Sequence, residues 1–212
     1  MEYKPEYRRY LPHFQPAGVT FFVTGRLYGS LPQVALEKLK EEKEAAYHRI
    51  RQECKDEVVR DDEIRKLHKR HFAKWDQFLD TNTHEPQWLG IPEVALIAKN
   101  AFHYFDNKHY TLVAYCIMPN HFHLVLDTSD EVRYTKPLYA IMHSLKSYTA
   151  HEANKILNRT GLFWQEESYD HVIRDGREFQ NTVAYTLENP VKAGLAKEWN
   201  TFPFSFVNED YL

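Results

Sequence analysis

A chain of 212 residues with 43% hydrophobic and 27% charged residues has the composition of a globular protein with one substantial core. Its formal net charge of -3 excludes a globally basic nucleic-acid wrap, so any phosphate contact must come from local clusters such as Arg8-Arg9 or the segment Lys146 to Arg177. Two cysteines, Cys54 and Cys116, exclude a disulfide framework and a cysteine-rich zinc site. With no apolar leader and no run of eighteen apolar residues, the expectation is a reduced, cytoplasmic protein with no membrane partner.

In chain order, residues 17–28 (AGVTFFVTGRLY) are β-branched and aromatic and predict a strand. After Leu31-Pro32 comes a charged stretch with apolar residues at helical spacing, including Leu36, Leu39, Ile50, Leu67 and Leu79. It predicts a helical insertion at about 33–80, two helices folded back on one another. Pro92 opens a helix over 92–106. The apolar runs 110–117 and 121–127, separated by Met118-Pro119-Asn120, predict a hairpin. Leu138, Ile141, Met142, Leu145 and Tyr148 follow the period of a helix over 137–157. A further strand is expected at 163–175, and a last helix at 176–188 stops at Asn189-Pro190 before a short tail with aromatic anchors. This order predicts an α+β sandwich, an antiparallel sheet with helices on one face. The whole of 1–212 is then a single domain carrying the charged insertion.

Two features carry chemistry. His121 and His123 lie at i and i+2 on a predicted strand, so both imidazoles point to one face while Phe122 points to the other. With twelve histidines in the chain the spacing alone decides little; its place in an otherwise apolar strand requires that something satisfy both rings, a metal ion or ordinary hydrogen-bond partners. On the helix 137–157, Tyr148 and Glu152 stand one turn apart on one face. A carboxylate there would complete a His-His-carboxylate set suited to Mg²⁺ or Mn²⁺, with His151 as a rival ligand. A core tyrosine and a solvated glutamate account for the same spacing.

The segments CIMPNHFHLVL, LKSYTAHEANK, FWQEESYDHVIRD and YTLENPVKAGL, in that order, resemble the REP-associated tyrosine transposases, relatives of the single-tyrosine HUH transposases of small insertion sequences. The resemblance runs from about residue 85 to 198, with 17–28 as a first strand. It implies a ferredoxin-like core, metal ligands at His121 and His123 with Glu152 in the more variable third position, and Tyr148 as the nucleophile. It further implies cleavage and rejoining of single-stranded DNA at hairpin-forming repeats through a 5′-phosphotyrosine. Candidate DNA contacts are Arg8, Arg9, Arg26, Lys146, Arg174 and Arg177, with Trp164 and Tyr169 as stacking candidates. Two alternatives stay open: a non-catalytic single-stranded nucleic-acid-binding module of the same fold, and a hydrolase using the His pair to activate water. Whether the protein acts as a monomer or a homodimer is not determined by the sequence.

Overall fold

Three apolar, β-branched segments assemble into a sheet because each alternates its side chains between two covered faces. The computed structural model describes residues 6–8, 12–81 and 86–211, with side chains from Gln15 onwards, and the chain forms two compact units, 1–28 with 86–212, and 29–85. In the first unit a two-stranded ladder pairs β1 (Glu6–Arg8) with β2 (Pro12–Phe14). The main sheet contains β3 (Thr20–Arg26), β4 (Thr111–Ile117), β5 (His121–Asp127), β6 (Tyr169–Ile173) and β7 (Ser205–Val207), in the antiparallel order β6-β3-β5-β4-β7. The helices of this unit are α3 (Pro92–Phe105), α4 (Leu138–Ile156) and α5 (Gly176–Lys192).

The antiparallel α+β architecture expected from the sequence is the one the chain adopts. On one face, Phe21 and Val23 of β3 and Phe122, Leu124 and Leu126 of β5 pack with Ala95, Ala98 and Phe102 of α3 and Ile141, Met142 and Leu145 of α4. On the other face lie Phe22, His123 and their neighbours, and there Tyr185 of α5 sets its ring edge-on to both. The expectation of helices on one face thus holds for α3 and α4, while α5 adds a cover on the opposite face. That cover exists because Val183, Thr186, Leu187 and Pro190 form a buried stripe at helical spacing.

Two differences from the sequence expectation have local causes. Helix α5 does not stop at residue 188 but runs to Lys192, because beyond Pro190 the ladder resumes with Ala193 N–H donating to Asn189 O at 3.0 Å. One missing N–H in a last turn is tolerated when the buried stripe continues through it. The strand expected at 163–175 is regular only over Tyr169–Ile173. Before it, Trp164 forms an isolated bridge with Leu27, and Gln165 N–H donates to Arg26 O at 2.9 Å.

Gly25 has a positional reason. A Cβ there would overlap the ring of Phe122, its partner across the β3–β5 ladder. Gly25→Ala is therefore expected to lower unfolding stability by about 2 kcal/mol, because Phe122 must leave its rotamer in a filled core. Urea denaturation checks this, and combining the change with Phe122→Leu should recover part of the loss. An unchanged midpoint for Gly25→Ala would show that the ring shifts freely.

The second unit is a helical pair, α1 (Gln33–Glu53) and α2 (Glu57–Thr81), joined by Cys54–Asp56. Lys74 pairs with Glu42 at 3.0 Å and His71 Nε2–H donates to Leu39 O at 3.1 Å. Burial, with Lys43 next in size, pushes the His71 imidazole down to about 4, so it is a neutral donor at physiological pH. Among the described residues no helix is long and apolar enough to cross a membrane.

Candidate metal centre and tyrosine helix

Strand β5 opens immediately after the Pro119-Asn120 turn, and its first and third residues are the two histidines. Strand alternation sends Phe122 into the α3/α4 core and both imidazoles to the α5 side, where each residue is fully buried. The Nε2 atoms face one another at 3.1 Å. Each Nδ1 is engaged from behind: His121 Nδ1–H donates to Asn120 Oδ1 at 2.6 Å, and His123 Nδ1 lies 2.9 Å from the hydroxyl of Thr24. An amide oxygen only accepts, so it fixes the proton of His121 on Nδ1 and leaves Nε2 as an acceptor. Outer partners of this kind orient metal-binding histidines.

The pair fits a divalent ion. The two Nε2 atoms, 3.1 Å apart, share either a proton or a cation. Ligand bonds of roughly 2.1 Å at right angles separate two ligand atoms by roughly 3 Å, so this spacing suits adjacent octahedral positions. Burial, with Lys192 adding to it, pushes His123 down to about 3, so the ring is neutral and able to coordinate at physiological pH.

Around the pair, Phe22 stacks on His123 with ring centroids 5.5 Å apart, and Tyr185 meets it edge-on at 5.6 Å. Lys192 Nζ lies 4.6 Å from the centre of the Tyr185 ring. Arg26, at the end of β3, is in register with His121, and by alternation it shares the face of Thr24 and the histidines. Its residue is buried, and desolvation lowers the guanidinium to about 10 against the opposing pull of Glu167, which leaves it charged at neutral pH. Thr24, Asn120 and Tyr185 escape sequence reasoning. Thr24 meets His123 only through the β3–β5 register, and Asn120 reads as an ordinary turn residue.

Helix α4 buries Leu138, Ile141, Met142, Leu145, Thr149 and Ala153 and leaves Tyr148 54% exposed. Polar ties hold this turn of the helix to the end of the sheet that carries His121. Trp164 Nε1–H donates to Thr149 Oγ1 at 2.8 Å, and Trp164 in turn bridges Leu27, one residue beyond Arg26. Lys146 Nζ donates to the carbonyls of Gln165 and Glu166 at 2.8 and 3.1 Å. Trp164 is thereby a buried core residue, and Tyr169 is half-buried with its ring edge-on to Phe22.

The other sequence candidates are placed as follows. Glu152 lies one turn beyond Tyr148, but its carboxylate accepts from Lys155 Nζ at 2.8 Å, with His151 Nε2 at 3.8 Å. That hydrogen bond, first among the causes, holds it below the usual carboxylate range, and among the described residues Glu152 does not converge with the two imidazoles. Arg174 and Arg177 are exposed around the start of α5, whose first turn is capped by Asp175. Arg9 lies outside the described residues, as does the side chain of Arg8.

Comparison with known proteins bears on the same segment. A Haemophilus influenzae protein assigned to the REP-associated tyrosine transposases is 28% identical over 112 residues, 49% of this chain and 63% of that one. The REP-associated tyrosine transposase of Escherichia coli is 24% identical over 111 residues, 49% of this chain and 58% of that one. The chain thus spans about three fifths of the length of these relatives. A solved structure of a REP-associated tyrosine transposase bound to a REP hairpin shares the fold at a TM-score of 0.55 and 17% identity, covering 94% of this chain and 81% of the other. In motif order and in fold the chain resembles the REP-associated tyrosine transposases, and residues 94–189, which carry His121, His123 and Tyr148, match the family Transposase IS200 like.

Proposed function

We propose that this protein is a metal-dependent transposase that cuts and rejoins single-stranded DNA at hairpin-forming repeats through a 5′-phosphotyrosine on Tyr148. The observation that carries the reading is the His121–His123 pair, two buried imidazoles with Nε2 atoms 3.1 Å apart and both Nδ1 atoms already engaged. Its relatives support the substrate class, since one of them is bound to a REP hairpin.

In this reading His121 and His123 would hold Mg²⁺ or Mn²⁺, with Glu152, which is bonded to Lys155 in this structure, as the third ligand. When bound, such an ion would supply Lewis-acid stabilisation of the charge that builds on the oxygens of the scissile phosphate. Tyr148 gives up its phenolic proton and its oxygen bonds to phosphorus. The P–O3′ bond breaks, and the departing 3′ oxygen takes a proton. The covalent phosphotyrosine keeps the energy of the phosphodiester, so attack by a 3′-hydroxyl rejoins the strand without a nucleotide cofactor. Arg26 is charged and shares the face of the histidines, so it is the proposed partner of a phosphate oxygen at the centre. Arg8, Arg9, Lys146, Arg174 and Arg177 are proposed contacts to the rest of the DNA backbone.

The test is incubation of the protein with labelled single strands carrying hairpin repeats from its own genome, in Mg²⁺, Mn²⁺ or EDTA. Products are read on a denaturing gel before and after protease. The expected product is a shifted band that requires metal and collapses on proteolysis. Binding without such a band would replace the proposal with a binding module. Cleavage with no covalent adduct would replace it with a hydrolase.

A further inference from the structure

Helix α5 carries a polar side chain that the fold leaves unsatisfied. Asn189 is fully buried, and among the described residues neither its Oδ1 nor its Nδ2 has a hydrogen-bond partner. A buried carboxamide without partners is costly, and a native fold keeps one where something else satisfies it.

Its position says what that is. Helix α5 begins at the Asp127 end of the sheet, because it follows β6, whose last residue Ile173 shares a row with Thr20 and Asp127. At its mid-length Tyr185 packs edge-on against His123. Asn189 is one turn further, about 6 Å along the helix axis. His121 is two residues back along β5, about 6.7 Å towards the same end. Asn189 therefore lies further towards the His121 end of the sheet than Tyr185. By helical spacing it lies on one side of α5 with Tyr185 and Lys192, and those two residues are in contact with each other above His123.

We propose that Asn189 supplies its Oδ1 to the coordination sphere of the ion held by His121 and His123. A neutral amide oxygen is a suitable donor for Mg²⁺ or Mn²⁺. It arrives from the helix covering the sheet, a different element from either the strand or the tyrosine helix. This inference rests on the metal reading of the histidine pair.

The experiment is Mn²⁺ titration of the full chain without DNA, followed by loss of the free-ion EPR signal. It compares wild type, Asn189→Leu, Asn189→Asp and the double variant His121→Ala/His123→Ala, with a thermal melt of each in EDTA. Asn189→Leu is expected to bind Mn²⁺ about 10–100-fold more weakly. It should also melt in EDTA at or above the wild-type temperature, because it removes an unsatisfied polar group. Asn189→Asp keeps the oxygen, adds a charge, and should bind at least as tightly as wild type. Wild-type affinity in Asn189→Leu together with loss in the double variant would overturn the role of Asn189 while leaving the metal site intact. Undiminished binding by the double variant would overturn both. Should Asn189→Leu fail to fold, the aspartate decides: weaker Mn²⁺ binding in a folded Asn189→Asp protein overturns the proposal.

Discussion

Tyr148→Phe is expected to abolish the covalent protein–DNA adduct while leaving hairpin binding within about twofold of wild type. The substitution removes one oxygen from a side chain that is 54% exposed, so its effect on stability should stay within about 0.5 kcal/mol. The loss belongs to the chemistry: phenylalanine has no atom that can bond to phosphorus, and an essential nucleophile is worth on the order of 10³-fold or more. The other exposed tyrosine of the helix, Tyr139, lies nine positions earlier, too far along α4 to take its place. DNA affinity in this reading comes from basic side chains meeting phosphates, which the change leaves untouched. Adduct formation by Tyr148→Phe, with the DNA mapped to another residue, would remove Tyr148 from the mechanism and leave the histidine pair to be judged separately.

Much of the fold was legible because period-two and period-3.6 patterns are imposed by burial. The hairpin 110–127 and the helices starting at Pro92 and Leu138 all appear within a residue or two of where the sequence places them. The failures have physical causes. Strand β7 is three residues long, too short to show a period, and exists because Phe206 stacks on Tyr115 at 5.4 Å. The cover of α5 on the second face was hidden because its stripe includes Thr186 and Pro190, residues that read as helix-breaking or neutral. At the site, the common direction of His121 and His123 followed from strand alternation alone. Their outer partners did not, because Thr24 is 99 residues from His123 and only the β3–β5 register brings them together. Glu152 shows the converse limit. Helical spacing placed it correctly beside Tyr148, yet spacing carries no information about its competing bond to Lys155.

The outer partners give the second large effect. Asn120→Leu and Thr24→Val are each expected to weaken Mn²⁺ binding about 10–100-fold, and His121→Ala to remove it, with DNA cleavage falling in the same order. The argument turns on where the imidazole proton sits. With Asn120 Oδ1 accepting at 2.6 Å, His121 keeps its proton on Nδ1 and its Nε2 lone pair stays turned towards His123. Leucine gives no acceptor, so the proton can move to Nε2, where it both blocks the metal and satisfies the neighbouring Nε2 of His123. The free enzyme then gains a competing hydrogen bond that the ion must break. Thr24→Val acts in the same way on His123 while nearly preserving volume, so its effect is chemical and not steric. Each variant also loses a buried hydrogen bond, on the order of 1–3 kcal/mol, and melting in EDTA reads that cost independently of the ion. A purely structural role for the two partners would lower the melting temperature and leave the Mn²⁺ midpoint where it was. If the midpoint also stays fixed in His121→Ala, the ion does not bind at this pair.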